Sequence, residues 1–362
     1  MNLVKEKFAD RVLGTLYGVA VGDALGMPTE FLSRQQVKDI YGWVDEYHRT
    51  PSWHPLAHLP AGSITDDTEQ SVAMAEMVIN NKEFTTEDVV EALIKWAKLG
   101  KLEQGLDAMG PSTLRALNSL QEGEKPSRTG LMGNTNGAAI RISPVAVAYP
   151  GLQSNLIEQI VTLCMPTHFT DIAVSGGSAI AYWISAALAG ADLEGALEAA
   201  LEGAVLGRKA FKKKIDLELG GTIPWEVMSA QVNPHLEDRI RWAVEIATAK
   251  SPWEERYERA ITSLGTSVDM IQTVPISIAF AIIAEGDPFK AVCLGANAGG
   301  DTDSIASVAG ALAGALGGAS GFPRQLIDQL EKVNGIDLRT LAKRLIKTAD
   351  LSTLKRQGGE PA

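Results

Sequence analysis

Two short acidic runs carry the residues whose types and spacing best suit chemistry. The first acidic run is Thr65-Asp66-Asp67-Thr68, and the second is Asp301-Thr302-Asp303-Ser304, which follows Asn297-Ala298-Gly299-Gly300. Each run offers two carboxylates and hydroxyl groups at the start of a predicted helix. Because hard divalent cations prefer oxygen ligands, the two runs together could hold two Mg²⁺ or Mn²⁺ ions. The sequence has no Cys or His cluster that would favour zinc instead.

Helix capping is the alternative interpretation of either run taken alone. Asp, Thr and Ser are favoured at helix N-termini, and an acid there interacts favourably with the helix dipole. Both runs carry more acid than a cap needs. Four carboxylates packed into one pocket without a cation would have raised pKa values and would lower stability. If the runs meet in space, a divalent cation is the simplest explanation.

Three other segments place polar groups at turns. Residues 133–141 are rich in glycine, so their backbone N–H groups could approach a phosphate or a ribose oxygen, although a plain turn is the alternative. His168 precedes a predicted helix and could donate to a substrate oxygen or be structural. Glu30 follows a helix of small residues and precedes a long irregular segment, residues 31–65. It could be a mobile catalytic acid or an ordinary surface acid.

Helical patterns dominate the elements that must position these groups. Apolar residues recur at helical spacing, and no alternating strands joined by Asn-Gly or Asp-Gly turns are found. We therefore predict an all-α fold, with a single domain over residues 1–350 and a disordered tail over residues 351–362. The predicted helices cover residues 8–25, 68–80, 87–99, 171–188, 194–206, 236–249, 252–264, 274–283, 288–296, 304–316 and 340–348.

Small residues mark one face of two helices. Residues 305–322 carry no charge, but their Gly and Ala content favours a buried helix of a soluble protein over a membrane span. A glycine at every fourth position lets another helix approach closely. These positions are Gly14, Gly18 and Gly22 in the first helix and Gly310, Gly314 and Gly318 in the second.

Composition narrows the class of partner. The 362 residues carry a net charge of −11, which disfavours nucleic acid and anionic membranes as partners. Cys164 and Cys293 lie in apolar surroundings and are expected to be buried free thiols in a reducing compartment. The chain starts without the apolar run of a signal peptide, so we expect a cytoplasmic enzyme.

The order of these motifs resembles the ADP-ribosylglycohydrolase family, which includes ADP-ribosyl-arginine hydrolases and the dinitrogenase reductase activating glycohydrolase. The resemblance covers about residues 10–325. It implies a compact, orthogonally packed all-α domain with two Mg²⁺ or Mn²⁺ ions. The ligands that it implies are Thr65, Asp66, Asp67, Asp301, Asp303 and Ser304.

The resemblance also implies an activity, the hydrolysis of a glycosidic bond at the anomeric carbon of an ADP-ribosyl or related ribosyl substrate. The substrate would be a ribosyl small molecule or an ADP-ribosylated protein, while the oligomeric state is left open. Glu30 or Asp301 would take the proton from the attacking water. The implied substrate contacts are Gly133, Asn134, Asn136, Gly137 and His168.

Three positions depart from the family pattern. Ser304 replaces the usual Thr but keeps a hydroxyl group. Thr135 and Asn136 lengthen a loop that is commonly Gly-Asn-Gly-Ala, and Glu69 adds an acid after the first acidic run. A longer loop and an extra charge beside the pocket would favour a smaller substrate than ADP-ribose. A nucleosidase-like enzyme is therefore one alternative, and a non-catalytic ADP-ribose-binding or structural protein is another. The four retained carboxylates favour catalysis.

Overall fold

The computed structural model describes residues 2–99, 109–220 and 235–354, and within these ranges every regular element is a helix. The predicted all-α class is therefore confirmed. The first half contains α1 (Asn2–Gly26), α2 (Arg34–Tyr41), α3 (Asp66–Asn80), α4 (Thr86–Leu99), α5 (Pro111–Gln121), α6 (Pro126–Thr129), α7 (Gly137–Arg141), α8 (Ser143–Ala148) and α9 (Leu156–Cys164). The second half contains α10 (Asp171–Leu188), α11 (Leu193–Leu219), α12 (Leu236–Ala247), α13 (Trp253–Leu264), α14 (Met270–Ile283), α15 (Pro288–Ala296), α16 (Thr302–Gly317), α17 (Arg324–Asn334) and α18 (Leu338–Ile346).

Helices α1 and α16 pack at a distance that only glycine permits. A Cβ atom on Gly18 would lie 2.1 Å from the carbonyl oxygen of Gly310, and a Cβ atom on Gly314 would lie 2.1 Å from that of Gly14. The close approach predicted from the small residues is thus confirmed. It places the start of α16, which carries the second acidic run, against the C-terminal end of α1 at Gly26, just before Glu30.

The uncharged stretch at residues 305–322 forms most of α16, and the side chains of α16 are almost all buried inside the protein. Within the described ranges, one helix has the length and apolarity to cross a bilayer. This is α10, of which 89% of the apolar window is buried inside the protein. Cys164 and Cys293 are buried free thiols, as expected.

Several short helices were not predicted. Residues 31–65 contain α2, whose N-terminus is a capping box formed by Ser33 and Gln36, a signal present in the sequence. Helix α8 is buried on every side. It therefore lacks the polar face that is needed to recognise a helix from its hydrophobic periodicity. Helices α5, α6, α7, α9 and α17 were also missed.

Order extends beyond the predicted end of the domain. Leu351–Thr353 forms a 3₁₀ turn, and Leu354 is buried. The apolar side chain of Leu354 therefore anchors the start of the predicted tail in the core, and the predicted domain end at residue 350 stays a prediction. The rest of the predicted tail, residues 355–362, lies outside the described residues.

Candidate active site

The two acidic runs meet in space. The Ser304 hydroxyl lies 3.4 Å from Asp67 Oδ2 and donates to it across the gap between α16 and α3. Both runs open into one cavity of about 450 Å³, called the acidic cavity below. The cavity is lined by acids and by residues of three loops, among them Glu30, Phe31, Asp66, Asp67, Pro111, Thr113, Thr135, Asn136, Gly137, Ser267, Asp301, Asp303 and Ser304. The predicted meeting of the runs is confirmed.

Three carboxylates of the cavity converge on one point. Single oxygen atoms of Glu30, Asp301 and Asp303 all lie within 4.8 Å of one another. The turn that carries Glu30 is fixed by two backbone hydrogen bonds, from Phe31 N to Gly300 O at 2.9 Å and from Gly300 N to Leu32 O at 2.8 Å. A displacement of Glu30 would have to break these bonds, so the mobility expected for this acid stays a prediction.

Glycines shape the turn before the second acidic run. Gly299 and Gly300 have φ values of +77° and +85°, which L side chains rarely adopt. A Cβ atom on Gly300 would lie 2.2 Å from the carbonyl oxygen of Thr266. The same Thr266 carbonyl accepts a hydrogen bond from Asp301 N at 2.8 Å, so this turn sets the direction in which Asp301 enters the cavity.

Burial and mutual repulsion act on every acid of the cavity. Burial, followed by repulsion from Asp23, Asp301 and Glu69, raises the pKa of Asp66 to about 8. Burial also raises the pKa of Asp301 to about 6, and hydrogen bonds from its neighbours, of which Asn136 contributes most, oppose this rise. The same two causes, with burial again first, raise the pKa values of Glu30, Asp67 and Asp303 well above the ordinary range. A positive charge in the cavity would lower the free-energy cost of ionising these carboxyl groups.

The donor set fits a hard divalent cation. The side-chain atoms that converge are carboxylate and hydroxyl oxygens, the ligands that Mg²⁺ and Mn²⁺ prefer. In addition, Asp67 Oδ1 is buried and accepts no hydrogen bond from the described residues. A buried charged oxygen without a donor is costly unless a ligand or an ion satisfies it.

Similarity to known proteins identifies the family of this chain. The sequence model of the ADP-ribosylglycohydrolase family matches residues 4–354. The chain belongs to this family. It is 31% identical over 341 residues to the uncharacterized protein YegU of Escherichia coli, an alignment that spans 93% of this chain and 97% of that protein. It is 28% identical over 342 residues to ADP-ribosylarginine hydrolase Tri1 of Pseudomonas putida, spanning 91% and 76% of the two chains.

A solved structure described as an ADP-ribosylglycohydrolase-related protein complex shares the fold. Its TM-score to this chain is 0.65 at 24% identity, and the alignment covers 95% of this chain and 100% of that one. The resemblance and the fold type inferred from the sequence are thus confirmed. As a member of the ADP-ribosylglycohydrolase family, the chain is a hydrolase of the glycosidase type.

Thr65 is held by a buried acid that was not among the predicted site residues. Asp23 is fully buried in α1 and accepts hydrogen bonds from the Thr65 hydroxyl at 2.7 Å and from the Thr68 hydroxyl at 2.5 Å, as well as from both backbone N–H groups. Burial raises the pKa of Asp23 to about 6, and these hydrogen bonds oppose the rise. Thr65 itself does not line the acidic cavity. The sequence does contain a signal for this role of Asp23, because an acid inside an apolar helix needs buried hydrogen-bond partners.

His168 does not line the acidic cavity. Its ring is fully buried, with Nε2 at 3.0 Å from the Thr135 hydroxyl and Nδ1 at 2.8 Å from the Thr167 hydroxyl. Burial, followed by the charges of Arg141 and Arg115, lowers its pKa well below the ordinary value. Both ring nitrogens lie within hydrogen-bond distance of threonine hydroxyls, so the ring supports the loop, and its expected contact with substrate stays a prediction.

The loop at residues 133–137 is divided between structural and cavity positions. Gly133 packs against Thr167, where a Cβ atom would lie 2.1 Å from the carbonyl oxygen, and Asn134 O accepts a bond from Met270 N at 3.0 Å. Neither residue lines the cavity, and both hold the loop in place, while their expected substrate contacts stay predictions. Asn136 and Gly137 do line it. Contact between these two and a substrate stays a prediction.

A buried arginine connects this loop with the first acidic run. Arg141 donates to Gln70 Oε1 at 2.7 Å, and Gln70 in turn donates to Asp66 Oδ2 at 2.7 Å. The same guanidinium group donates to the Thr167 hydroxyl. Burial lowers the pKa of Arg141 to about 10, so it stays charged at neutral pH. It thereby supplies positive charge behind the acids without entering the cavity.

Glu69 does not face the acidic cavity. Its carboxylate accepts a hydrogen bond from Trp96 Nε1 at 3.1 Å and lines a different cavity of about 860 Å³. The expectation that this charge would repel a pyrophosphate rested on its position beside the pocket. That position is wrong, although the charge still contributes to the raised pKa of Asp66.

Proposed function

We propose that this chain uses Mg²⁺ or Mn²⁺ to hydrolyse an N- or O-glycosidic bond at the anomeric carbon of an ADP-ribosyl or related ribosyl substrate. The observation that carries the proposal is the convergence of Glu30, Asp301 and Asp303 on one point of a cavity that also receives Asp66 and Asp67. Membership of a glycosidase family supports the type of reaction.

The residues that would hold two ions are those of the two acidic runs, with Asp23 keeping the first run in place. Bound cations would offset the carboxylate charges, bind the ribose diol and lower the pKa of a water molecule. Every other contribution comes from side chains of this chain. The candidate ligands that line the cavity are Asp66, Asp67, Asp301, Asp303 and Ser304. Thr65, the sixth candidate, lies outside the lining with its hydroxyl on Asp23, so it would reach an ion only through the free lone pair of that hydroxyl.

Proton transfer falls to two carboxyl groups with different pKa values. Burial, followed by the charge of Asp301, raises the pKa of Glu30 well above its usual range, and the position of Glu30 beside Asp301 and Asp303 makes it a candidate to give a proton to the leaving atom. Asp301 has the lower pKa, about 6, and can accept the proton of the attacking water. A pair of carboxyl groups with separated pKa values is the usual arrangement for glycoside hydrolysis.

Cavity size favours an ADP-ribosyl compound over a bare nucleoside. About 450 Å³ lies within the range of pockets that hold drug-sized ligands, roughly 300–1,000 Å³. The carboxylate of Glu69 lines a different cavity and would not meet a pyrophosphate bound here. This removes one reason for preferring a smaller substrate. A relative named ADP-ribosylarginine hydrolase is consistent with the same choice.

A substrate panel with Mg²⁺ or Mn²⁺ tests the proposal. The panel contains ADP-ribosyl-arginine, ADP-ribosyl-serine, O-acetyl-ADP-ribose and common nucleosides, and Asp303→Ala serves as the inactive control. We expect metal-dependent release of ADP-ribose from at least one ADP-ribosyl compound. Hydrolysis of nucleosides alone would replace the proposal by the nucleosidase alternative, and inactivity on the whole panel would reject both.

A further inference from the structure

Gln70 is a fully buried polar residue that follows Asp66 by one helical turn in α3. It does not line the acidic cavity, so its side chain meets the cavity only through Asp66. The contact is direct, because Gln70 Nε2 donates to Asp66 Oδ2 at 2.7 Å. Since a buried amide is costly unless both of its ends are hydrogen-bonded, this position also needs a partner for the amide oxygen.

Arg141 determines which end of this amide faces Asp66. A guanidinium group has N–H donors and no acceptor, whereas an amide has a donor end and an acceptor end. Arg141 Nη1 donates to Gln70 Oε1 at 2.7 Å, so the amide nitrogen must point the other way, towards Asp66. An inverted amide would place donor against donor at Arg141 and oxygen against carboxylate at Asp66. The direction of the donor is therefore fixed.

The position of Arg141 is in turn set from outside α3. Its side chain is fully buried in α7. Its Nη2 atom donates to the Thr167 hydroxyl and lies 3.4 Å from His168 Nδ1. Both of these residues belong to the segment just before α10, so the packing of that segment decides how Gln70 presents its amide to the first acidic run.

We propose that Gln70 is a positioning residue for the divalent-ion site, which holds Oδ2 of Asp66 and leaves Oδ1 as the oxygen that binds the ion. The inference rests on the proposed function, because Asp66 is one of the candidate ion ligands. A carboxylate without such a partner loses rotational freedom when it binds an ion. The hydrogen bond from Gln70 fixes that rotation before the ion arrives.

A carboxylate held in this way favours Mg²⁺ over Ca²⁺. Mg²⁺ requires nearly ideal octahedral geometry, whereas Ca²⁺ takes six to eight ligands in flexible arrangements and accepts both oxygens of one carboxylate. With Oδ2 engaged by Gln70, Asp66 offers the single oxygen that suits the smaller ion. Loss of the Gln70 amide would free the second oxygen, and would therefore change the selectivity as well as the affinity for ions.

The test measures ion binding in variants of Gln70. Gln70→Met keeps the length of the side chain and removes the amide. Gln159→Met in α9 is the matched control, because Gln159 does not line the cavity and its buried Oε1 has no hydrogen-bond partner in the described part of the chain. Asp66→Ala and Asp66→Ala/Gln70→Met complete a double-mutant cycle. Calorimetric titration gives the Kd of Mg²⁺ and of Ca²⁺, and urea denaturation without metal shows that each variant folds.

Gln70→Met leaves the buried guanidinium of Arg141 without one acceptor, which lowers stability. If this variant does not fold, Gln70→Met/Arg141→Met replaces both partners by apolar side chains and is compared with Arg141→Met. The ratio of the two Kd values remains the quantity that decides, because a loss of stability alone would not change the preference between two ions.

We expect Gln70→Met to weaken Mg²⁺ binding by about 10–100-fold, the usual cost of losing a residue that orients a metal ligand. Ca²⁺ binding should weaken by less, and Gln159→Met should resemble the wild type. In the Asp66→Ala background, Gln70→Met should change the Kd of Mg²⁺ by no more than about twofold. Equal losses for both ions, an unchanged Kd of Mg²⁺, or the full loss without Asp66 would overturn the inference and spare the proposed function. A wild type that binds neither ion would overturn both.

Discussion

The side-chain amide of Asn136 donates a hydrogen bond of 2.5 Å to Asp301, which ties the glycine-rich loop to the second acidic run. The same amide lies 3.0 Å from the Thr273 hydroxyl, and Asn136 N donates to Val268 O at 2.9 Å. Together with Thr135, which contacts His168, this residue is part of the support of the site. If Thr135 and Asn136 only lengthened the loop and narrowed the pocket, these hydrogen bonds would have no role. The spacer interpretation therefore does not account for them.

Asn136→Ala should lower kcat/KM on all active substrates by a similar factor, about 10–100-fold, because Asp301 loses a hydrogen bond to a charged group. Asn134→Ala is the control, since Asn134 lies outside the cavity and its Oδ1 has no hydrogen-bond partner among the described residues. Deleting Thr135 and Asn136 should likewise reduce all activities. A changed preference between ADP-ribosyl compounds and nucleosides would instead support the spacer interpretation.

Glu30→Gln keeps the size of the side chain and removes its ability to transfer a proton. Turnover should fall by about 10²–10⁴-fold, the usual contribution of a general acid or base. Metal-dependent stabilisation should persist, because the variant leaves the six candidate ligands in place and keeps a side-chain oxygen where Glu30 converges with Asp301 and Asp303. Steady-state kinetics and thermal melting on the same preparation measure both effects. Undiminished turnover on every active substrate would remove Glu30 from the mechanism.

Asp303→Ala should abolish most of the stabilisation by divalent ions. An ion that binds only the folded state raises the free energy of unfolding by about 2.7 kcal/mol at 100 times its Kd. The wild-type Tm should therefore rise with Mg²⁺ or Mn²⁺ and fall with a chelator. Glu69→Gln is the control, since Glu69 is an acid of the first turn of α3, the turn that carries Asp66 and Asp67, yet it lines another cavity. A wild-type metal response in Asp303→Ala would exclude Asp303 as a ligand.

Gly18→Ala should destabilise the protein through the contact between α1 and α16. The new methyl group would lie 2.1 Å from Gly310 O, and the helices must separate at a cost of roughly 1–3 kcal/mol or more. Gly177→Ala in α10 is the control, because its methyl group meets the nearest atom, Cys164 Sγ, at 3.5 Å. Relative to the wild type, Gly177→Ala should be neutral or stabilising by up to about 1 kcal/mol through helix propensity. Urea denaturation gives both values, and equal effects would contradict the packing argument.

His168→Asn should change how stability depends on pH. The folded protein holds His168 neutral with a lowered pKa, whereas in the unfolded chain it takes up a proton below about pH 6.5. Stability is therefore lost as pH falls below that value, with an additional slope of about 1.4 kcal/mol per pH unit. Subtracting the variant's free energy of unfolding from that of the wild type at pH 7.5, 6.5, 5.5 and 4.5 isolates this slope. A pH-independent difference would show that folding does not lower the pKa of His168.

The sequence by itself determined the local features of this protein. Helices α10 and α15 have the predicted bounds, since length and helical periodicity are local properties. The glycines at every fourth position predicted that another helix approaches α16 closely, because residues four apart share a helix face, while the structure identifies that helix as α1. The two acidic runs were equally visible, because each is a turn followed by a helix start.

Only the tertiary structure decided which side chains enter the cavity. Asp67 and Glu69 are two residues apart, which is about 200° around a helix, so neighbouring acids of one run face two different cavities. The Nε2 atom of His168 is hydrogen-bonded to the hydroxyl of Thr135, which is 33 positions earlier in the sequence. Asp23 accepts a hydrogen bond from the hydroxyl of Thr65, which is 42 positions later. Such partnerships depend on how helices distant in the sequence pack together, and no periodicity within one segment encodes them.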